Sequence, residues 1–245
     1  MKNRVLHVFR HSDEVIRAAA DFLRDSIEHA LLAGMHCNLA LAGGSSPRQL
    51  YESLAGPPYD REIEWNRVRF FFGDERNVPQ DHPDSNFRMA LKSLLQPLEI
   101  AAANIFPVDT SLPPDRAAAQ YEQTIRNHLG RHYPFDIILL GLGDNAHTAS
   151  LFPFTSVLDE KQALVREVYV EEVNRYRITF TAPLINAART VVFLVYGSSK
   201  AAAVYDVLEG PRDYKRYPAQ LVSPARGEVH WFMDEAAAGG VDTGR

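Results

Sequence analysis

Four short apolar runs, each ending in glycine or charge, constrain this chain more than any other feature: "CNLALAGG" (37–44), "RVRFFFGDE" (67–75), "FDIILLGLG" (135–143) and "TVVFLVYGSSK" (190–200). They are far shorter than the roughly 20 apolar residues that a membrane helix requires. Their near-continuous apolar character suits strands covered on both faces, as in a parallel sheet with helices on either side. The intervening segments carry the helical period. "SDEVIRAAADFLRDSIEHALLAG" (12–34) begins with Ser12 or Asp13 as a cap and stops at Gly34, and 46–56, 84–95, 113–130 and 198–210 are shorter helical stretches. "RVLHVF" (4–9) and "ITFTAP" (178–183) add strands. The expected fold is α/β, a largely parallel sheet with helices on both faces. The late "EVHWFMDEAA" (228–237) is expected as a small antiparallel C-terminal portion, an edge strand running into the fraying tail "AAAGGVDTGR".

No repeat or low-complexity linker divides the sequence, so residues 1–245 are expected to form one domain. The 245 residues, 46% of them hydrophobic, suffice for a sizeable core. A formal charge of −5 excludes a general polyanion binder, which needs a clustered cationic face; no nucleic-acid partner is expected. The single cysteine, Cys37, excludes an internal disulfide and reads as a small buried apolar residue. "MKNRVLHVFR" shows no charged leader followed by a long apolar block, so a cytoplasmic protein without a membrane partner is expected.

In an open parallel sheet, ligands bind outside the carboxyl ends of the strands, and here four such ends carry polar or glycine-rich loops. In "AGGSSP", Gly43, Gly44, Ser45 and Ser46 lead into a helix with Pro47 at its expected first position. The turn serves either as an ordinary helix start or as a cradle of N–H groups for an anion. In "GDER", Asp74, Glu75 and Arg76 form either a solvated turn or a carboxylate–arginine pair that orients a substrate and stabilises charge developing on oxygen. "GLGDNAHTASLFP" (141–153) places His147 at the start of an expected short helix, "HTASLF". Its ordinary pKa near 6.5 makes it the leading general-base candidate. His82 reads as structural, and His7, His11, His29, His36, His128, His132 and His230 lack paired metal-ligand spacing; no metal is expected. Arg177 and Lys200 are the remaining cations at element starts, and Lys200 near a helix N-terminus calls for an anionic partner.

The blocks "LAGGSSPRQLY", "FFGDERNVPQDHPDSNFRMA", "DIILLGLGDNAHTASLFP", "RITFTAPLINAAR", "GSSKAAAV" and "YPAQLV…WFMDEAA", in this order over about residues 39–237, resemble the 6-phosphogluconolactonase family, related to glucosamine-6-phosphate deaminase. The resemblance implies a fold of the sugar-phosphate isomerase and deaminase type. It also implies hydrolysis of 6-phospho-glucono-1,5-lactone in the pentose phosphate pathway with no redox cofactor. By the same resemblance, His147 matches the histidine that activates water, Asp74 and Arg76 the substrate-facing turn, and Gly44, Ser45, Ser46, Arg177 and Lys200 positions around the sugar phosphate.

The sequence departs from the family pattern GLGxDGHTASLFPG: Asn145 stands for aspartate, Ala146 for glycine and Phe154 for the last glycine. Asparagine can orient an imidazole but cannot supply charge; Asn145 and Gly43 are counted with the expected substrate-binding residues, and Asp144, one position before Asn145, is expected to point elsewhere. Two alternatives stand beside the lactonase: a same-fold aminosugar-phosphate deaminase or isomerase, and a catalytically weakened or purely sugar-phosphate-binding relative. A regulator with a helix-turn-helix is not expected, since the first strand starts near residue 4. Oligomeric state is not legible.

Overall fold

The computed structural model describes residues 4–130 and 134–242; His132 and the last three residues of the tail lie outside this range. The chain runs β1 (Arg4–Phe9), α1 (Ser12–Ala33), β2 (Cys37–Leu41), α2 (Ser45–Leu54), α3 (Tyr59–Glu62), β3 (Val68–Phe72), β4 (Asp74–Arg76), α4 (Asn86–Ala90), α5 (Pro114–Leu129) and β5 (Ile137–Leu140). It continues through β6 (Val165–Val170), β7 (Arg175–Phe180), α6 (Ala182–Ile185), β8 (Thr190–Val195), α7 (Ala201–Leu208) and β9 (Glu228–Asp234).

Six strands form one parallel sheet in the order β1-β9-β8-β5-β2-β3. Alternate residues of each strand enter opposite cores, as the two-residue period of a strand demands. Leu39, Leu41, Phe70, Phe72, Val192 and Leu194 pack with α1 and α2 residues such as Leu23, Ile27 and Leu50. Ala40, Phe71, Ile138, Phe193 and Trp231 pack with Ala118, Tyr121 and Ile125 of α5 and Val204 of α7. Phe193 and Trp231 are register partners, and their rings stack at 4.0 Å. The four apolar runs are therefore doubly covered strands, as the sequence implied.

Several expectations need correction. The C-terminal strand is neither antiparallel nor at an edge: β9 lies between β1 and β8, parallel to both. Its polar Glu228, His230 and Asp234 gave it an edge-like pattern, whereas only Glu228 is exposed. The edge on that side of the sheet is β1, none of whose residues is fully buried. The antiparallel portion is instead a three-stranded sheet from the middle of the chain, in the order β4-β7-β6. Lastly, "HTASLF" forms no helix, since Ala146 and Ala149 have φ of 61° and 47° and the segment closes on a Thr148–Leu151 bridge. Pro47 is the third helical residue of α2 rather than the first; its missing N–H is among those a helix start leaves unpaired. No described helix is long and apolar enough to cross a membrane.

Candidate active site

A cavity of about 250 Å³ opens at the carboxyl ends of β2, β3, β5 and β8, where the four loops converge. Gly43, Gly44, Ser45, Ser46, Asp74, Arg76, His147, Arg177 and Lys200 all line it. Asn145, expected from the sequence among the substrate-binding residues, does not; it lies behind His147, with its Oδ1 against the ring.

The α2 turn is shaped by Gly44, whose φ of 107° is open to glycine and costly for other residues. No side chain caps the helix, so the first N–H groups of α2 remain at the cavity. Gly43 has another role: a Cβ there would meet Asn86 Oδ1 at 1.9 Å, so the position leaves room for Asn86.

The triplet Asp74-Glu75-Arg76 is a strand rather than a turn, and its alternation assigns the side chains. Asp74 and Arg76 line the cavity while Glu75 turns the other way. Glu75 accepts hydrogen bonds from Asn86 N (2.7 Å), Phe87 N (2.8 Å) and Ser85 Oγ (3.1 Å), a carboxylate held at the N-terminus of α4. Burial raises its pKa, and the backbone donors partly offset that shift. Glu75 thereby fixes Asn86, whose Nδ2 donates to Asp74 Oδ1 at 3.0 Å. Ser150 Oγ donates to Asp74 Oδ2 at 2.6 Å. Asn86 and Ser150, both buried, were not assigned from sequence, although both lie in quoted blocks; only the fold reveals that they hold Asp74.

β4 and β7 pair so that Arg76 and Arg177 are opposite. The Arg177 guanidinium stands 3.9 Å from Asp74, and burial lowers its pKa. Arg76 donates to the carbonyl of Asp84 at 2.8 Å. The buried Nε of each arginine has no protein acceptor, an arrangement suited to an anion. Lys200 follows Gly197, and its Nζ lies 2.6 Å from Asp144 Oδ1. Asp144 thus gives Lys200 an acidic partner from the protein itself. The carboxylate of Asp144 is 70% exposed. Asp144 points to Lys200 and not to His147, as expected.

His147 stacks on Phe152 with centroids 3.9 Å apart. Its Nδ1 is 2.6 Å from Asn145 Oδ1, which also accepts from the His147 backbone N at 3.2 Å. An amide oxygen can only accept, so Nδ1 carries the proton and Nε2 is left as the basic atom. Burial, reinforced by Arg177 and Lys200 and opposed by Asp74 and Asp144, lowers the pKa of the ring to about 4. The imidazole is neutral at pH 7. Gly143 is indispensable to this placement, since a Cβ there would lie 2.0 Å from Nδ1.

Fold and cavity together define a class: an α/β protein with a polar, cation-bearing crevice at the switch of a parallel sheet, suited to a small anionic ligand. Comparison with known proteins narrows it. Residues 10–231 match the family described as glucosamine-6-phosphate isomerases/6-phosphogluconolactonase. A 6-phosphogluconolactonase of Synechocystis sp. is 43% identical over 204 residues, covering 81% of this chain and 82% of its own. One from Nostoc sp. is 37% identical over 239 residues, covering 96% and 97%. The structure of 6-phosphogluconolactonase from Trypanosoma cruzi superposes with a TM-score of 0.87 at 27% identity, covering 97% of this chain and 96% of the other. The chain belongs to the glucosamine-6-phosphate isomerase/6-phosphogluconolactonase family.

Proposed function

We propose that the protein hydrolyses 6-phospho-D-glucono-1,5-lactone to 6-phospho-D-gluconate, a step of the pentose phosphate pathway, with His147 as general base. The observation that carries this reading is the neutral imidazole, anchored through Nδ1 on Asn145 and lining a cavity with Arg76, Arg177 and Lys200. The lactonase names of the relatives choose the substrate.

Nε2 of His147 takes a proton from water as the hydroxide forms its bond to the lactone carbonyl carbon. The carbonyl oxygen becomes an oxyanion beside the Arg76 guanidinium. The tetrahedral intermediate collapses, its bond to the ring oxygen breaks, and the imidazolium returns the proton to that oxygen. The products are a carboxylic acid, which ionises, and a free hydroxyl. The α2 N-terminus, Arg177 and Lys200 hold the phosphate and orient the sugar, energy used for positioning rather than bond making. A phosphate dianion in the same cavity also offsets the cations that depress the His147 pKa, so binding substrate makes the base stronger.

The test is hydrolysis of freshly generated lactone, corrected for its spontaneous rate. Wild type accelerates it and His147→Ala loses about 10²- to 10⁴-fold, the usual contribution of a positioned base. Wild-type protein with no rate above background overturns the reading.

A further inference from the structure

Behind Asn145 the structure holds a carboxylate that the sequence motifs do not include. Glu172 lies in a short turn (Glu171–Val173) that connects β6 to β7, 27 residues from Asn145. Asn145 Nδ2 donates to both of its oxygens, at 3.3 and 3.2 Å. Two contacts together set the orientation of the amide. Reversing it would set an NH2 group against the His147 backbone N–H and an amide oxygen against a carboxylate.

We propose that Glu172 is a positioning residue for His147: through the Asn145 amide it fixes the imidazole tautomer and supplies the negative charge that asparagine lacks. The proposal concerns the same site and rests, for its catalytic consequence, on the lactonase reading above. An asparagine oxygen alone orients the ring; polarised by a carboxylate on its NH2 side, it becomes a stronger acceptor toward the Nδ1–H that must carry charge when Nε2 takes a proton. The motif reaches the same end with a different pair, Glu172–Asn145 in place of one aspartate. The other charges around the ring are Asp74 from β4, Arg177 from β7, Lys200 ahead of α7 and Asp144 from its own loop. None of them bonds to Nδ1, so they tune the ring without choosing its tautomer.

The test separates charge from bonding. Glu172→Gln keeps an acceptor for Asn145 Nδ2 but removes the charge, Glu172→Ala removes both, and Asn145→Asp/Glu172→Gln moves the carboxylate one step inward with the amide behind it. Glu172 is exposed, so these changes leave the core intact. Nitrogen-15 NMR of labelled histidine reads the tautomer and pKa of His147 directly, and lactone hydrolysis across pH reads the consequence. The expected results are a single Nδ1–H tautomer in wild type and mixed tautomers in Glu172→Ala. In Glu172→Gln the His147 pKa and the acid limb of kcat fall by about half a unit, the scale of one exposed charge two hydrogen bonds away. Its kcat falls about threefold with KM unchanged, and the double variant regains the wild-type limb or exceeds it. Unchanged tautomer and pKa in both single variants overturn the proposal. If the NMR effects are present and wild type hydrolyses no lactone, the positioning role stands and the substrate assignment falls.

Discussion

Gly143→Ala is the sharpest probe of how the site is built. The added Cβ would lie 2.0 Å from His147 Nδ1 and 2.1 Å from Cε1, where ordinary contact is about 3.5 Å. Gly143 does not have a positive φ, and the three atoms nearest the added Cβ all belong to the imidazole, so the conflict falls first on the ring. The ring must shift by about 1.5 Å, leaving the 2.6 Å bond to Asn145 and the 3.9 Å stack on Phe152. A misplacement of about 1 Å at a reacting group costs about 10²-fold, so kcat should fall at least that far, toward the level of His147→Ala. Overpacking should also cost about 1–3 kcal/mol of stability. Hydrolysis of fresh lactone gives the first quantity and urea unfolding the second. The control is Gly143→Ala/His147→Ala, which removes the group that is struck. It should unfold like His147→Ala alone, with no further loss. Wild-type kcat in Gly143→Ala, or a double variant less stable than His147→Ala by as much as Gly143→Ala is less stable than wild type, would show that the ring is not confined by this glycine.

Lys200→Ala should raise KM about ten- to a hundredfold and leave kcat nearly unchanged, since a charge-assisted bond to phosphate is worth about 1.5–3 kcal/mol and lies away from the reacting carbon; an unchanged KM removes Lys200 from the phosphate site. Acid should weaken the fold through His147. Its folded pKa of about 4 lies below the unfolded value of about 6.5, so the unfolded chain binds the proton first, and stability present above pH 6.5 is lost as pH falls toward 4. His7 and His230, stacked and 3.0 Å apart with pKa values lowered by burial, act in the same direction. The His147 share is at most ~3 kcal/mol; urea midpoints measured from neutral to acid pH should fall, less steeply in His147→Asn, and equal slopes in the two proteins would contradict it.

The parallel sheet was legible because double coverage writes itself as continuous apolar runs, and the four strand-end loops followed from that sheet. The second sheet was not. β6, "VREVYV", mixes buried Val165, Val168 and Val170 with exposed Arg166 and Tyr169, and its meaning depends on pairing with β7. The same pairing decides the DER triplet. Read as a turn, its three residues are equivalent candidates; as a strand opposite Thr179, Ile178 and Arg177, it sends Asp74 and Arg76 to the cavity and Glu75 to cap α4. His147, Arg177 and Lys200 were legible as unusual residues in telling places. Asn86, Ser150 and Glu172 act on Asp74 and Asn145 across 12, 76 and 27 residues of sequence, and local spacing carries no trace of such contacts.

The failed helix at "HTASLF" links these points. Alanine is the strongest helix former, so Ala146 and Ala149 around His147 argue locally for a helix. Both instead adopt positive φ, as do Phe154 nearby and Asn174 beside Glu172. A left-handed non-glycine residue costs on the order of 1–3 kcal/mol and persists only where its surroundings over-determine it. Here they do: Gly143 N donates to His147 O at 2.8 Å, Ala219 N to Ala146 O at 3.0 Å, Thr148 Oγ1 to Gly141 O at 2.8 Å and Phe154 N to Lys215 O at 3.0 Å. A helix from His147 would direct successive side chains around its axis. The strained turn instead lets three close neighbours do separate things: His147 lines the cavity, Ser150 reaches back to Asp74, and Phe152 lies flat beneath the imidazole. Propensity is overridden where the chemistry requires several side chains of one short segment to converge.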